Sequence, residues 1–126
     1  MVKEKSESVP DDEFDKWSRE IRRGAISLAI LAIIHQGESY GYDIMKKLAN
    51  DFPALQVEPS TTYPLLRRLE ERGILHAEWS PITENKGRRL YYVTKEGRRT
   101  LRKMVESWDV LSNDLQEILK EAKLIE

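Results

Sequence analysis

A chain of 126 residues without a cysteine has no disulfide, no cysteine zinc ligand and no thiol nucleophile, and its size is that of one ordinary domain. With 40% apolar and 34% charged residues it reads as a soluble globular protein, and its longest apolar run, residues 28–34, is far too short to span a membrane. The formal net charge is −1, but it is segregated: −3 over residues 1–20, 0 over 21–58, +6 over 59–103 and −4 over 104–126.

Residues 1–10 are polar and lack an apolar period, so a disordered tail is expected there. The charged start has no apolar stretch of the kind a secretory signal needs, and the chain is expected in the cytoplasm. Pro10 with Asp11 and Asp12 is a helix-start signal, because carboxylates favour the positive end of a helix. Phe14, Trp17 and Ile21 then recur at helical spacing. A second run over 25–36 is apolar nearly all round, with Ile26, Leu28, Ile30, Leu31, Ile33 and Ile34, and belongs in the core. Gly24 is expected to kink or separate these two runs, and Gly37 to end the second.

Ser39 is placed as the N-cap of the next helix, with Ile44, Met45 and Leu48 as its inward stripe and Pro53 as its close. Ser60 is then expected to cap a further helix. Pro64 would lie at the end of its first turn, Leu65, Leu66 and Leu69 would face the core, and Gly73 would supply the left-handed residue after its end. From Leu75 the period becomes two: Leu75, Ala77 and Trp79 alternate with His76, Glu78 and Ser80. A turn-rich segment over 81–87 and a strand-forming run over 89–94 complete a hairpin with a basic, glycine-containing tip.

Thr94 caps a last helix whose apolar residues fall seven apart: Leu101, Trp108, Leu115 and Ala122, and likewise Met104, Leu111, Ile118 and Ile125. A helix of about 28 residues is about 40 Å long. That is more than a body this small can cover, so a homodimer through this helix is expected. The fold class is mainly α with a small β-hairpin: a winged helix-turn-helix plus a long C-terminal dimerisation helix. The expected division is a tail over 1–10, a DNA-binding domain over 11–100 and the dimerisation helix over 101–126.

In a helix-turn-helix the second helix enters the major groove by its N-terminal end. Here that end carries Ser60, Thr61, Thr62 and Tyr63, whose hydroxyls can donate to phosphate oxygens where the helix dipole favours an anion. Tyr63 and Arg67 share a face away from the leucines, and the planar guanidinium of Arg67 fits a guanine edge or a phosphate. The plainer alternative is that Ser60 and Thr61 only cap the helix while Arg67, Arg68 and Arg72 pair with Glu70 and Glu71. Lys86, Arg88 and Arg89 surround Gly87 at the hairpin tip, which suits phosphate contacts or minor-groove insertion. A charged tip that only keeps a sheet edge soluble is the alternative there.

His35 and His76 are isolated and read as structural or surface residues. The neighbours Glu70 and Glu71 point in different directions, and no metal spacing, glycine-rich phosphate loop or nucleophile motif is present. Neither an enzyme nor a cofactor is expected. The rival to DNA binding is a winged helix used for protein–protein contact. Such modules often lose the positive recognition surface, whereas residues 59–103 hold eleven basic residues.

Residues 31–37, then Tyr40, Gly41, Tyr42, Asp43 and Ile44, then the run 62–70 with Tyr63, Pro64 and the two arginines, with Gly73, Ile74 and Leu75 behind, and the run 87–97 with Gly87, Arg88, Arg89 and two tyrosines stand in a characteristic order. Over roughly residues 22–112 the chain resembles the PadR-type transcriptional regulators. The resemblance implies a homodimer joined through its C-terminal helices that binds double-stranded DNA, usually as a repressor released by a small molecule. It brings Tyr40 into the DNA-binding set. The single C-terminal helix is similar to the compact branch of the family, which includes multidrug-sensing regulators. In those, a tryptophan of the last helix pairs with its dimer mate to sandwich flat aromatic drugs. Glu106, Ser107 and Trp108 resemble that context, so Trp108 is the implied ligand position, with Trp17 and Phe14 of the N-terminal extension lining or filling the same space. Plain interface packing is the alternative for Trp108.

Overall fold

A computed structural model describes the backbone of residues 2–80 and 88–126 and the side chains of residues 11–80 and 88–126. Helix α1 (Val2–Gln36) is unbroken. The division expected at Gly24 is therefore corrected. A lone glycine costs a helix about 1 kcal/mol. Just beyond it Ile26, Ile30, Leu31 and Ile34 are all buried, and each such side chain returns roughly 1.5–3 kcal/mol. The tail expected over 1–10 falls on Met1, which lies outside the described residues, and on 2–10, whose backbone continues α1 and whose side chains lie outside them.

A two-residue strand β1 (Ser39–Tyr40) leads directly into α2 (Gly41–Asp51). Ser39 is thus not the cap it was expected to be: Tyr40 holds that position, and the Ser39 hydroxyl donates to the Gly37 carbonyl at 3.0 Å. A single 3-10 turn (Pro53–Leu55) precedes α3 (Pro59–Glu71). Here too the cap differs from expectation. Pro59 occupies the first turn, where its missing N–H is harmless, and Glu58 becomes the N-cap in place of Ser60. Pro64 consequently lies in the second turn, so the Ser60 carbonyl has no amide donor four residues on.

Gly73 ends α3 as expected, with φ +79°, while Ile74 N–H bonds the Leu69 carbonyl at 2.9 Å. Strands β2 (Leu75–Ser80) and β3 (Arg88–Val93) form the hairpin, and β1 joins its far edge, giving an antiparallel sheet of order β1-β3-β2. Thr94 alone connects β3 to α4 (Lys95–Glu121), and it caps that helix as expected by accepting from Gly97 N–H at 2.9 Å. Thr94 is itself held down: its amide bonds the Ile74 carbonyl at 3.1 Å and its hydroxyl donates to the Gly73 carbonyl at 2.6 Å. Helix α4 stops at Glu121, where Lys123 takes φ +62° and Leu124 N–H returns to the Leu119 carbonyl. Ala122 and Ile125, expected as seam positions of the helix, therefore lie beyond it.

One core joins the second half of α1 to the inner faces of α2 and α3, both hairpin strands and Leu101 of α4. Among the described residues two apolar stripes remain uncovered in the single chain. Phe14, Trp17 and Ile21 are exposed on α1, and Trp108, Leu111, Leu115 and Ile118 are exposed on α4. Among the described residues no helix is long and apolar enough to cross a membrane.

Candidate nucleic-acid interface

The burial of α3 has a helical period. Thr62, Leu66 and Leu69 face the core, and the opposite side leaves Ser60, Thr61, Tyr63 and Arg67 exposed. Ser60, Thr61, Tyr63 and Arg67 are thus where the sequence suggested, on one outer surface. The first-turn amides of Thr61 and Thr62, however, already bond the Glu58 carbonyl at 3.0 and 2.9 Å, so they are not available to hold an anion.

Thr62 is a correction. It is fully buried and cannot touch DNA, because it stands four residues before Leu66 on the core face. Its hydroxyl has no hydrogen-bond partner among the described residues. A buried hydroxyl left alone is costly, whereas a methyl of the same shape is not. Thr62→Val is expected to stabilise the fold by about 1 kcal/mol, seen as a Tm a few degrees higher, with unchanged DNA affinity. A weaker DNA complex in that variant would return Thr62 to the interface.

The wing rises beside this surface. Its register pairs Ser80 with Arg88 and Trp79 with Arg89. The tip over 81–87, including Lys86, lies outside the described residues. Trp79 breaks the expectation of an inward alternation. It shares a strand face with Leu75 and Ala77 but sits past the edge of the core, so it is 64% exposed while Ser80 is buried. Tyr40 at the end of β1 donates to the Ser80 hydroxyl at 3.1 Å, and the Arg88 guanidinium lies 5.8 Å from the centroid of its ring. Together α2, α3 and the hairpin enclose a concavity of about 720 Å³, lined by Tyr40, Tyr42, Tyr63, Trp79, Arg67 and Arg88 among others.

The arginines of this concavity are not equivalent. Arg67 and Arg88 have no carboxylate partner among the described residues. Arg89 does: it pairs with Glu70 of α3, both side chains being about 29% exposed, and that hydrogen bond raises its already high pKa. The expectation of a free basic residue at 89 is corrected by this pair, which also takes Glu70 away from Arg67, Arg68 and Arg72. Sequence reasoning missed Tyr42, Glu70 and Trp79 as parts of this surface. His35 and His76 are exposed, the latter 3.3 Å from Glu78.

The aromatic set implied for a ligand is brought together only in part. Phe14 and Trp17 approach with centroids 6.1 Å apart, and Trp108 is 52% exposed on α4 with no ring contact to either among the described residues.

Residues 30–103 match the Transcriptional regulator PadR-like family, so the matched region contains the whole concavity. The chain belongs to this family. A PadR family transcriptional regulator from Eggerthella lenta is similar at 35% identity with a TM-score of 0.77, covering 89% of this chain and 96% of that one. A transcriptional regulator of Mycobacterium tuberculosis is 35% identical over 83 residues, which is 66% of this chain and 75% of that protein. Bacillus subtilis PadR, whose crystal structure is a complex with operator DNA, shares the fold at 24% identity and a TM-score of 0.58, over 64% of this chain and 45% of its own. Within this PadR-like chain Phe14, Trp17 and Trp108 fall outside the matched region.

Proposed function

We propose that this PadR-like regulator is a homodimeric, sequence-specific repressor whose α3 enters the major groove while the wing holds the sugar–phosphate backbone. The observation that carries this reading is the pair of arginines without carboxylate partners among the described residues, Arg67 on α3 and Arg88 on β3, flanking one aromatic-lined concavity. Ser60, Thr61 and Tyr63 extend the α3 side and Tyr40 the wing side, and Lys86, outside the described residues, joins the proposed DNA-binding set by its place in the sequence. The division of labour is a DNA-binding unit over 11–100 and a dimerisation helix over 101–126. No catalytic or cofactor chemistry is part of the reading, and its setting is the cytoplasm. The effector is a planar aromatic molecule stacked between the Trp108 residues of two copies near Trp17 and Phe14, an idea supported by the exposure of all three rings. It releases DNA only if it prefers the non-binding arrangement of the dimer.

The test is footprinting over the DNA upstream of the chain's own gene. Two protected half-sites are expected, with centres about 10–10.5 bp apart or a multiple of that. Arg88→Ala should weaken binding to every duplex and lower the slope of log K against log salt by about 0.9. Arg67→Ala should cost about 1–3 kcal/mol on the footprinted duplex and relax its sequence preference. Equal saturation of unrelated duplexes at physiological salt would sink the reading.

A further inference from the structure

Arg88 and Arg89 are neighbours on one strand, yet alternation sends them to different surroundings. Arg88 is exposed over the Tyr40 ring. Arg89 is held from two other elements: Glu70 of α3 accepts a hydrogen bond from its Nη2, and the Trp79 ring on β2 lies with its centroid 5.2 Å from the guanidinium carbon. Its charge is already met by a carboxylate. Transferring it to a phosphate would leave Glu70 unpaired beside the negative surface of DNA, so the exchange gains little.

The position of this cluster matters as much as its charge. The base of the hairpin is fixed by Thr94 on the Gly73 and Ile74 carbonyls. Arg89 is five residues further along, about 16 Å at the rise of a strand. Strand β1, at the start of α2, pairs with β3 at Leu90 and Tyr91 and so ties the hairpin to α2; towards the tip, the bond from Arg89 to Glu70 is what ties it to α3.

We propose that Arg89 is a positioning residue and not a phosphate ligand: bridging Glu70 and Trp79, it sets the angle between wing and α3, and so the register in which Arg88 and Arg67 meet DNA together. This rests on the DNA-binding reading above. Arg89→Lys separates the two roles, because lysine keeps the charge a phosphate needs but not the planar fork that can bond Glu70 while lying on an indole.

The experiment measures affinity and salt slope of the full-length protein on the footprinted duplex and on an unrelated duplex of equal length. Arg89→Lys should lose about tenfold on the footprinted duplex, the scale of one lost base contact, with no change on the unrelated one and no change in slope. The neutral double variant Glu70→Gln with Arg89→Gln should show the same loss and the same slope. Trp79→Ala, which removes the aromatic platform, should match Arg89→Lys. Thermal unfolding of each variant serves as the control for folding. The inference is overturned if Arg89→Lys binds like the parent and the double variant lowers the slope by about 0.9, the signature of a lost phosphate contact. A parent protein that does not distinguish the two duplexes would instead remove the DNA reading itself, and this inference with it.

Discussion

Placing aspartate at both Leu111 and Leu115 is expected to turn the protein into a folded monomer that has lost operator binding. The two leucines are four apart on α4, hence on one face, and each is 56% exposed in the single chain. Trp108 and Ile118 continue the same stripe, and the described residues of the subunit do not cover it. Aspartate at these positions meets water in the monomer at little cost, but two facing copies would bury four carboxylates against apolar surface. The parent should therefore sediment at twice 14.7 kDa and the variant at 14.7 kDa, with the same helical content. A monomer presents one recognition helix, so affinity for a two-half-site duplex should fall by about 100-fold or more as the link between half-sites is lost. A variant that remains dimeric would move the interface elsewhere, to the α1 stripe of Phe14, Trp17 and Ile21 in the first instance.

Gly97→Ala should unfold a large fraction of the protein under mild heating. An added Cβ would stand 2.1 Å from the Ile74 carbonyl oxygen and 2.8 Å from the Val93 side chain. The obstacle is backbone, which cannot rotate away, so α4 would have to lift off the hairpin and give up the Thr94 cap. Alanine is a better helix former than glycine by about 1 kcal/mol, but the clash outweighs this, and a net loss of about 3 kcal/mol is expected. At this chain length that is a Tm lower by roughly 10 °C. Gly24→Ala provides the opposite case. Its Cβ meets nothing within 4 Å in the middle of α1, so only the propensity gain of about 1 kcal/mol remains and Tm should rise. Loss of stability in both variants, or in neither, would contradict this account.

What the chain announces in its sequence is what rests on neighbouring residues. Thr94 as cap, Gly73 as the left-handed end of α3, and the stripe of Ile44, Met45 and Leu48 need only a few residues of context. What escapes it depends on distant partners. Strand β1 exists because Ser39 and Tyr40 pair with Tyr91 and Leu90 of β3, some fifty residues away, and two residues carry no period of their own. The ion pair of Glu70 with Arg89 joins two elements, so the local arginines of α3 looked like better partners. Thr62 was legible in principle: it precedes Leu66 by four and Leu69 by seven, a core spacing, but its hydroxyl invited a surface role. The concavity follows the same rule. Its α3 residues were evident from one helix face, whereas Tyr42 and Trp79 joined it only once α2 and the hairpin were set beside that face.

The single residue between β3 and α4 has a mechanical consequence. Thr94, with both its amide and its hydroxyl tied to the turn after α3, is a joint without slack. Helix α4 is then a rigid arm welded to the wing. Its 27 residues make it about 40 Å long, so a tilt of about 5° at the root carries the far end by about 3.5 Å. The gearing also runs backwards. In the proposed dimer, a shift of a few ångströms where the distal ends of two such arms meet would turn each wing, together with the α3 it is tied to, through the same small angle, and a change in spacing at one end of the molecule would become a change of aim at the other.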